Sequence, residues 1–158
     1  MKNELLKHID LYCQWLEELK QVSDSQWFDP IEKGKWSTAA SITHILFWDQ
    51  HTLTERIPNM KEGVELQPYP DFHVFNEKAE KYAHSGVTKE EIITQAIETK
   101  RSIHTYLSRL DEKQLVVSFL IGEHPTTIEG YFVDFMHHDR HHQKQIHELL
   151  QNSKYETI

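Results

Sequence analysis

Cysteine occurs once in these 158 residues, at Cys13, so no internal disulfide can form and the core alone must hold the fold. A lone thiol in the first amphipathic segment reads as a small buried side chain in a reducing compartment, and the expected location is the cytoplasm. Glycine and proline number five each, too few for a linker-rich or repetitive chain. Positive charge is short as well. Against 25 Asp and Glu stand 17 Lys and Arg, a net charge of −8, and no basic face gathers anywhere, which excludes a phosphate-backbone binder and with it a nucleic-acid partner. No apolar run approaches the roughly 20 residues of a membrane span, so no membrane partner is expected. The N-terminal stretch MKNELLKHIDLYCQWLEELK alternates charged and apolar residues, unlike a signal peptide.

What the chain does carry is aromatic mass and histidine. Four Trp, six Tyr and seven Phe argue against disorder, and the length suits a single domain over residues 1–158. Apolar residues recur at helical spacing in four places. The first runs from about Asn3 to Val22, through Leu5, Ile9, Tyr12, Leu16 and Leu19. The second opens after Ser37, a natural N-cap, and extends to about Ile57, where Pro58 stops it. This segment is two-sided: Ile42, Leu46 and Leu53 form one stripe, and His44, Phe47, Trp48 and His51 another. Such a helix touches two layers of its own bundle or a second subunit. Residues 58–87 form a long connection with a short helix expected over Phe72 to Ala83. Thr88 with Glu91 forms a capping box opening the third helix, and Thr126 with Glu129 forms another opening the fourth. Strands are nearly absent, with LVVSFLIG the one candidate and no evident partner for it. The expectation is all-α: a four-helix bundle whose long second connection returns the chain to its starting end, making helices two and three parallel.

The stretch DFMHHDRHHQKQIHELL concentrates five histidines. Two pairs have the i, i+4 spacing that places imidazoles on one face: His137 with His141, and His138 with His142. The core stripe separates them, because Ile128, Tyr131, Phe135, His138, His142, Gln145 and Leu149 continue one rhythm, whereas His137 and His141 align with Asp134, Lys144 and Glu148. The first pair therefore faces the bundle and the second faces water. Two neutral imidazoles aimed into a core need partners, either hydrogen-bonding groups such as Asp49 and Tyr131 or a shared divalent cation. A third ligand would come from the second helix, where His44 and His51 are rivals. Three His ligands with one open position form a catalytic-type zinc geometry, and nickel, iron and copper also accept imidazole. His-Asp-x-x-His approaches the zincin pattern, but Asp139 is too short for its glutamate.

WSTAASITH, Trp36 to His44, resembles the Trp-Ser-x-x-Glu-x-x-x-His opening of helix two in DinB-like proteins, and HDRHHQKQI, His138 to Ile146, resembles their His-Glu-x-x-His-x-x-Gln-Ile segment on helix four. The resemblance covers essentially the whole chain. It implies an up-down-down-up bundle, often a homodimer, with His44, His138 and His142 as a metal triad for nickel, zinc, iron or a similar ion, and it selects His44 over His51. It also implies a small-molecule substrate. Some DinB-like proteins transfer a low-molecular-weight thiol onto an electrophile, and others resemble hydrolases. Two positions depart from the pattern: Ala40 and Asp139 stand where Glu is usual, so Ser37 caps without a reciprocal partner. The expected function is a divalent-metal-dependent thiol transferase or hydrolase, with a non-catalytic metal-binding or interaction protein as the alternative. Trp48 and Tyr131 are candidate pocket residues, Asp49 a candidate ligand-orienting group, and His51, Glu55 and His104 candidate proton shuttles. His8, His73, His84, His124 and His147 read as exposed.

Overall fold

The computed structural model describes residues 1–30 and 34–156. Four long helices make the frame: α1 (Lys2–Leu19), α3 (Thr38–His51), α5 (Lys89–Ser108) and α7 (Ile128–Glu156). Three short ones, α2 (Asp24–Phe28), α4 (Phe72–Ala83) and α6 (Glu112–Leu115), lie in the connections, with three strands, β1 (Glu65–Leu66), β2 (Ser118–Ile121) and β3 (His124–Thr127).

The core divides into two clusters that give the helix directions. One joins the start of α1 (Leu5, Ile9), the end of α5 (Ile103, Leu107) and the start of α7 (Ile128, Tyr131, Phe132). The other joins the end of α1 (Leu16, Leu19), the start of α3 (Ala39, Ile42), the start of α5 (Ile92, Ile93) and Ile146 late in α7. Helices α3 and α5 therefore run together, against α1 and α7, in the up-down-down-up order expected. The two-sided burial of α3 is satisfied within its own chain, by α5 on one flank and α4 on another.

Helix ends follow local chemistry. Ser37 Oγ accepts from Ala40 N at 3.0 Å, and Thr88 and Glu91 form the expected reciprocal box. Although Ala40 offers Ser37 no return bond, its hydroxyl meets His84 Nε2 at 2.9 Å, so the cap is tied to α4's end instead. Helix α1 ends at Leu19, short of Val22, because Ser23 and Gln26 form a capping box that starts α2. Beyond His51 the second helix widens into a π turn, Thr52–Arg56, then a 3₁₀ turn, Ile57–Asn59. Arg56, 1% exposed, donates through Nη1 to the Gln67 carbonyl at 2.6 Å and lies 5.0 Å over the Tyr69 ring, fastening the crossover to the bundle.

Three expectations are corrected. The fourth helix starts one residue later than the Thr126–Glu129 box implies: Thr127 Oγ1 accepts from Gly130 N at 3.0 Å, while Thr126 still pairs with Phe119 in the sheet. The strand in LVVSFLIG is not alone. β2 pairs antiparallel with β3 and parallel with β1, and Gly122, at φ +60°, takes the left-handed first position of the two-residue turn. His8 is buried rather than exposed, at 6%, whereas His73, His84, His124 and His147 are exposed as expected.

Candidate metal centre

His44 stands two turns into α3, and His138 and His142 occupy successive turns of α7. His138 Nε2 lies 3.1 Å from His44 Nε2 and 3.2 Å from His142 Nε2, and the three donor atoms all fall within 4.8 Å of one another. His137 and His141 point to solvent. The stripe on α7 thus separates the two histidine pairs as expected. Further along, Gln145 is exposed and Ile146 takes the core position.

Asn76, on α4, sets the first ring's proton. Its Oδ1 accepts from His44 Nδ1 at 2.8 Å and from Trp48 Nε1 at 3.4 Å, so the proton of His44 sits on Nδ1 and the Nε2 lone pair faces the other two rings. One Nε2–H on His138 satisfies one neighbour at most, which leaves a contact between two lone pairs. Burial, then the charges of His142 and His138, lower His44 to about 3 against a weaker opposing effect of Asn76. Burial, then His138 and His141, lower His142 to about 4, and burial lowers His138 as well. All three rings are therefore neutral at pH 7, and their Nε2 atoms converge. Tetrahedral coordination at ~2.05 Å separates ligand nitrogens by about 3.3 Å, close to both short contacts. His142 Nδ1 is buried without a partner. The donor set fits a divalent cation.

Trp36 roofs the triad, its ring 5.0 Å from His44 and stacked 6.4 Å from His142. Alongside opens a cavity of about 410 Å³ whose walls include Trp48, Tyr69, Phe72 and Phe135, with Asp134 among its lining residues. Trp48 is a pocket residue as expected. Tyr131 is not: its hydroxyl bonds Thr52 Oγ1 at 2.7 Å and its ring stacks on Phe135 from the core side.

Next to the triad, between the four long helices, lies a buried ion cluster. Asp139 Oδ2 accepts from Lys100 Nζ and from His8 Nε2 at 2.9 Å, and Lys100 also reaches Asp49 at 3.1 Å. Burial by itself would lower the Lys100 ammonium, but Asp139 and Asp49 outweigh it and hold the group well above its ordinary value. Burial pushes Asp49 up to about 7 despite Lys100, while Lys100 and His8 overcome the burial of Asp139 and pull it below the usual carboxylate range. Asp139 is the ionised member. Asp49, an expected ligand-orienting residue, bonds Lys100 and no triad ring, and Asp139 turns away from the triad, unlike a zincin base.

The shuttle candidates are elsewhere. His51, half-buried, lines a separate cavity with Glu55 and Arg56, and His104 sits 3.5 Å from Asp10 on the outer side of α5. Cys13 is buried in the core, which raises its thiol and removes it as a nucleophile. Sequence reasoning missed Asn76, Lys100 and His8. Asn76 lies in a short helix with no pattern linking it to His44. Lys100 follows Thr99 on a face that periodicity alone reads as boundary, and only its spacing from Ala96 hinted at burial.

A family model, described as the DinB superfamily, matches residues 5–146. The chain belongs to the DinB superfamily. Among solved structures the DinB-type fold is matched by YfiT from Bacillus subtilis, described as a probable metal-dependent hydrolase with an unusual four-helix bundle topology. It is 17% identical, the alignment covers 97% of this chain and 87% of that one, and the TM-score is 0.79. At that identity the likeness carries the fold alone. No curated protein matches the chain. No helix among the described residues is long and apolar enough to cross a membrane.

Proposed function

We propose that this DinB-type chain, a single domain over residues 1–158, is a metal-dependent hydrolase acting on a small electrophile, with His44, His138 and His142 holding nickel, zinc or iron. The observation that carries this reading is the convergence of three neutral imidazole Nε2 atoms from two helices, with one ring's tautomer fixed by Asn76. A divalent ion held there would supply Lewis acidity and lower the pKa of a bound water or thiol. The chain's own residues bind and orient: the aromatic wall of the cavity, Trp36 included, excludes water from the substrate body.

Transfer of a low-molecular-weight thiol is the other reaction such a centre supports. Hydrolysis is favoured because a thiol cofactor bearing carboxylates would need cationic contacts, and none of the described residues lining the cavity is Lys or Arg. A cytoplasmic homodimer completes the reading, checked by light scattering of the purified chain.

The test is elemental analysis of freshly purified protein beside His44→Ala, His138→Ala and His142→Ala, with His137→Ala and His141→Ala as controls. Bound metal should fall to background in the first three and stay unchanged in the controls. The metal-loaded protein is then assayed for ester and amide hydrolysis, and for thiol consumption with a haloaromatic. Metal binding without turnover in either assay would establish the non-catalytic alternative, and absence of metal would refute the centre itself.

A further inference from the structure

We propose that the cavity beside the triad selects substrates carrying a cationic nitrogen on an apolar body, with the cation held against Trp48, Tyr69, Phe72 and the Asp134 carboxylate. The proposal rests on reading the triad as the reactive centre, and it adds the substrate class.

The three rings meet as a corner rather than a flat stack. Trp48 and Tyr69 lie 5.9 Å apart at 68°, Trp48 and Phe72 5.6 Å at 54°, and Tyr69 and Phe72 6.1 Å at 32°. All three rings line the one cavity, with Trp48 backed by Phe75 at 4.1 Å, and aromatic rings meeting at several angles around one space are the arrangement that holds an ammonium group. Two of these rings are open to a ligand: Phe72 is 58% and Tyr69 36% exposed. Tyr69 already takes one cation, the Arg56 guanidinium 5.0 Å over its ring, and Arg56 is not among the cavity's lining residues.

In the metal-free protein the charge of the cavity wall favours a cationic over a neutral aromatic ligand, and an ion on the triad would work against that preference. Among the described residues, Asp134 is the acidic one lining the cavity, none of the lining residues is Lys or Arg, and the Asp134 carboxylate forms no ion pair. It stands one helical turn before His138, so a cation beside it lies roughly 6 Å from the triad. That distance suits a molecule whose charged end and reactive group are separated by a short linker. The chain's net charge of −8 draws cations toward the mouth and repels anions.

The probes are meta-(trimethylammonio)phenol and its neutral carbon isostere, meta-tert-butylphenol, titrated into the full chain with and without zinc and followed by tryptophan fluorescence and calorimetry. The ammonium should bind about tenfold tighter than the isostere. Asp134→Asn should remove most of that preference while leaving isostere affinity unchanged, and Phe72→Ala, at an exposed position that does not threaten folding, should weaken the ammonium more than the isostere. Equal affinity for the two probes, binding of neither, or an ammonium affinity unaltered by Asp134→Asn would each overturn the proposal. Because the titration without zinc needs neither metal nor turnover, its result is separate from that of the metal analysis.

Discussion

Lys100 Nζ lies 2.5 Å from Asp139 Oδ2, and neither side chain is more than 4% exposed. The pair ties α5 to α7 at the residue next to His138, and His8 and Asp49 extend the tie to α1 and α3. One buried cluster thus joins all four long helices directly behind the triad.

Lys100→Met leaves the ionised Asp139 and the Asp49 carboxyl buried without their cation. Unfolding in urea should show a loss of about 3–5 kcal/mol, the usual cost of removing one partner from a buried ion pair. Adding Asp49→Asn and Asp139→Asn to that variant should restore a substantial part of it, since no buried carboxyl then remains to ionise. A single variant as stable as the parent would show that the cluster does not hold the helices together.

Asn76→Ala frees His44 to rotate and to place its proton on Nε2. Zinc affinity, measured by competition with a chelating dye, should fall about 10- to 100-fold, the range found when a ligand's outer hydrogen-bond partner is lost. Circular dichroism should be unchanged, because Asn76 is half-buried on a short helix outside the main core.

Acid should weaken the metal-free fold through the triad. Folded His44 and His142 titrate at about 3 and about 4, below the ~6.5 of an unfolded imidazole. Between about pH 6.5 and 4 the unfolded chain therefore binds protons that the native rings refuse, and stability falls as pH drops through that window. Asp49 acts in the opposite sense, since its native carboxyl, raised to about 7, takes up a proton before the unfolded one does. The difference between parent and His44→Ala, each stripped of metal and unfolded at pH 7.5 and pH 5, isolates the histidine contribution. The parent should lose more stability than the variant over that interval.

Metal removal has its own thermal signature. At a free zinc concentration about 1,000 times Kd, binding adds about 4 kcal/mol to the native state, which at this chain length raises Tm by roughly 10 °C. A chelator should reverse the shift in the parent and have no effect on His138→Ala.

How much of this was legible in the sequence depended on whether a residue's partners were local. Helix periodicity and the Ser37 and Thr88 caps involve neighbours within four positions, and they located α1, α3, α5 and α7 closely. The inward pair on α7 was legible for the same reason. Where a partner lay far along the chain, the residues alone were silent. The choice of His44 over His51 came from the family resemblance, and the Asn76 contact spans 32 residues and the His8–Asp139 contact 131. The sheet was overlooked because β1 has two residues and β3, HPTT, lacks a strand's apolar alternation, so neither stands out until β2 lies beside it.

His44 and His138 are 94 residues apart, and the second of them belongs to the last helix of the chain. A growing polypeptide has no triad to offer until α7 has left the ribosome and docked. If the triad holds metal as proposed, ion choice falls to an already assembled pocket drawing on whatever the surroundings hold at that moment, and the same sequence made in cells with different metal supplies should emerge carrying different ions.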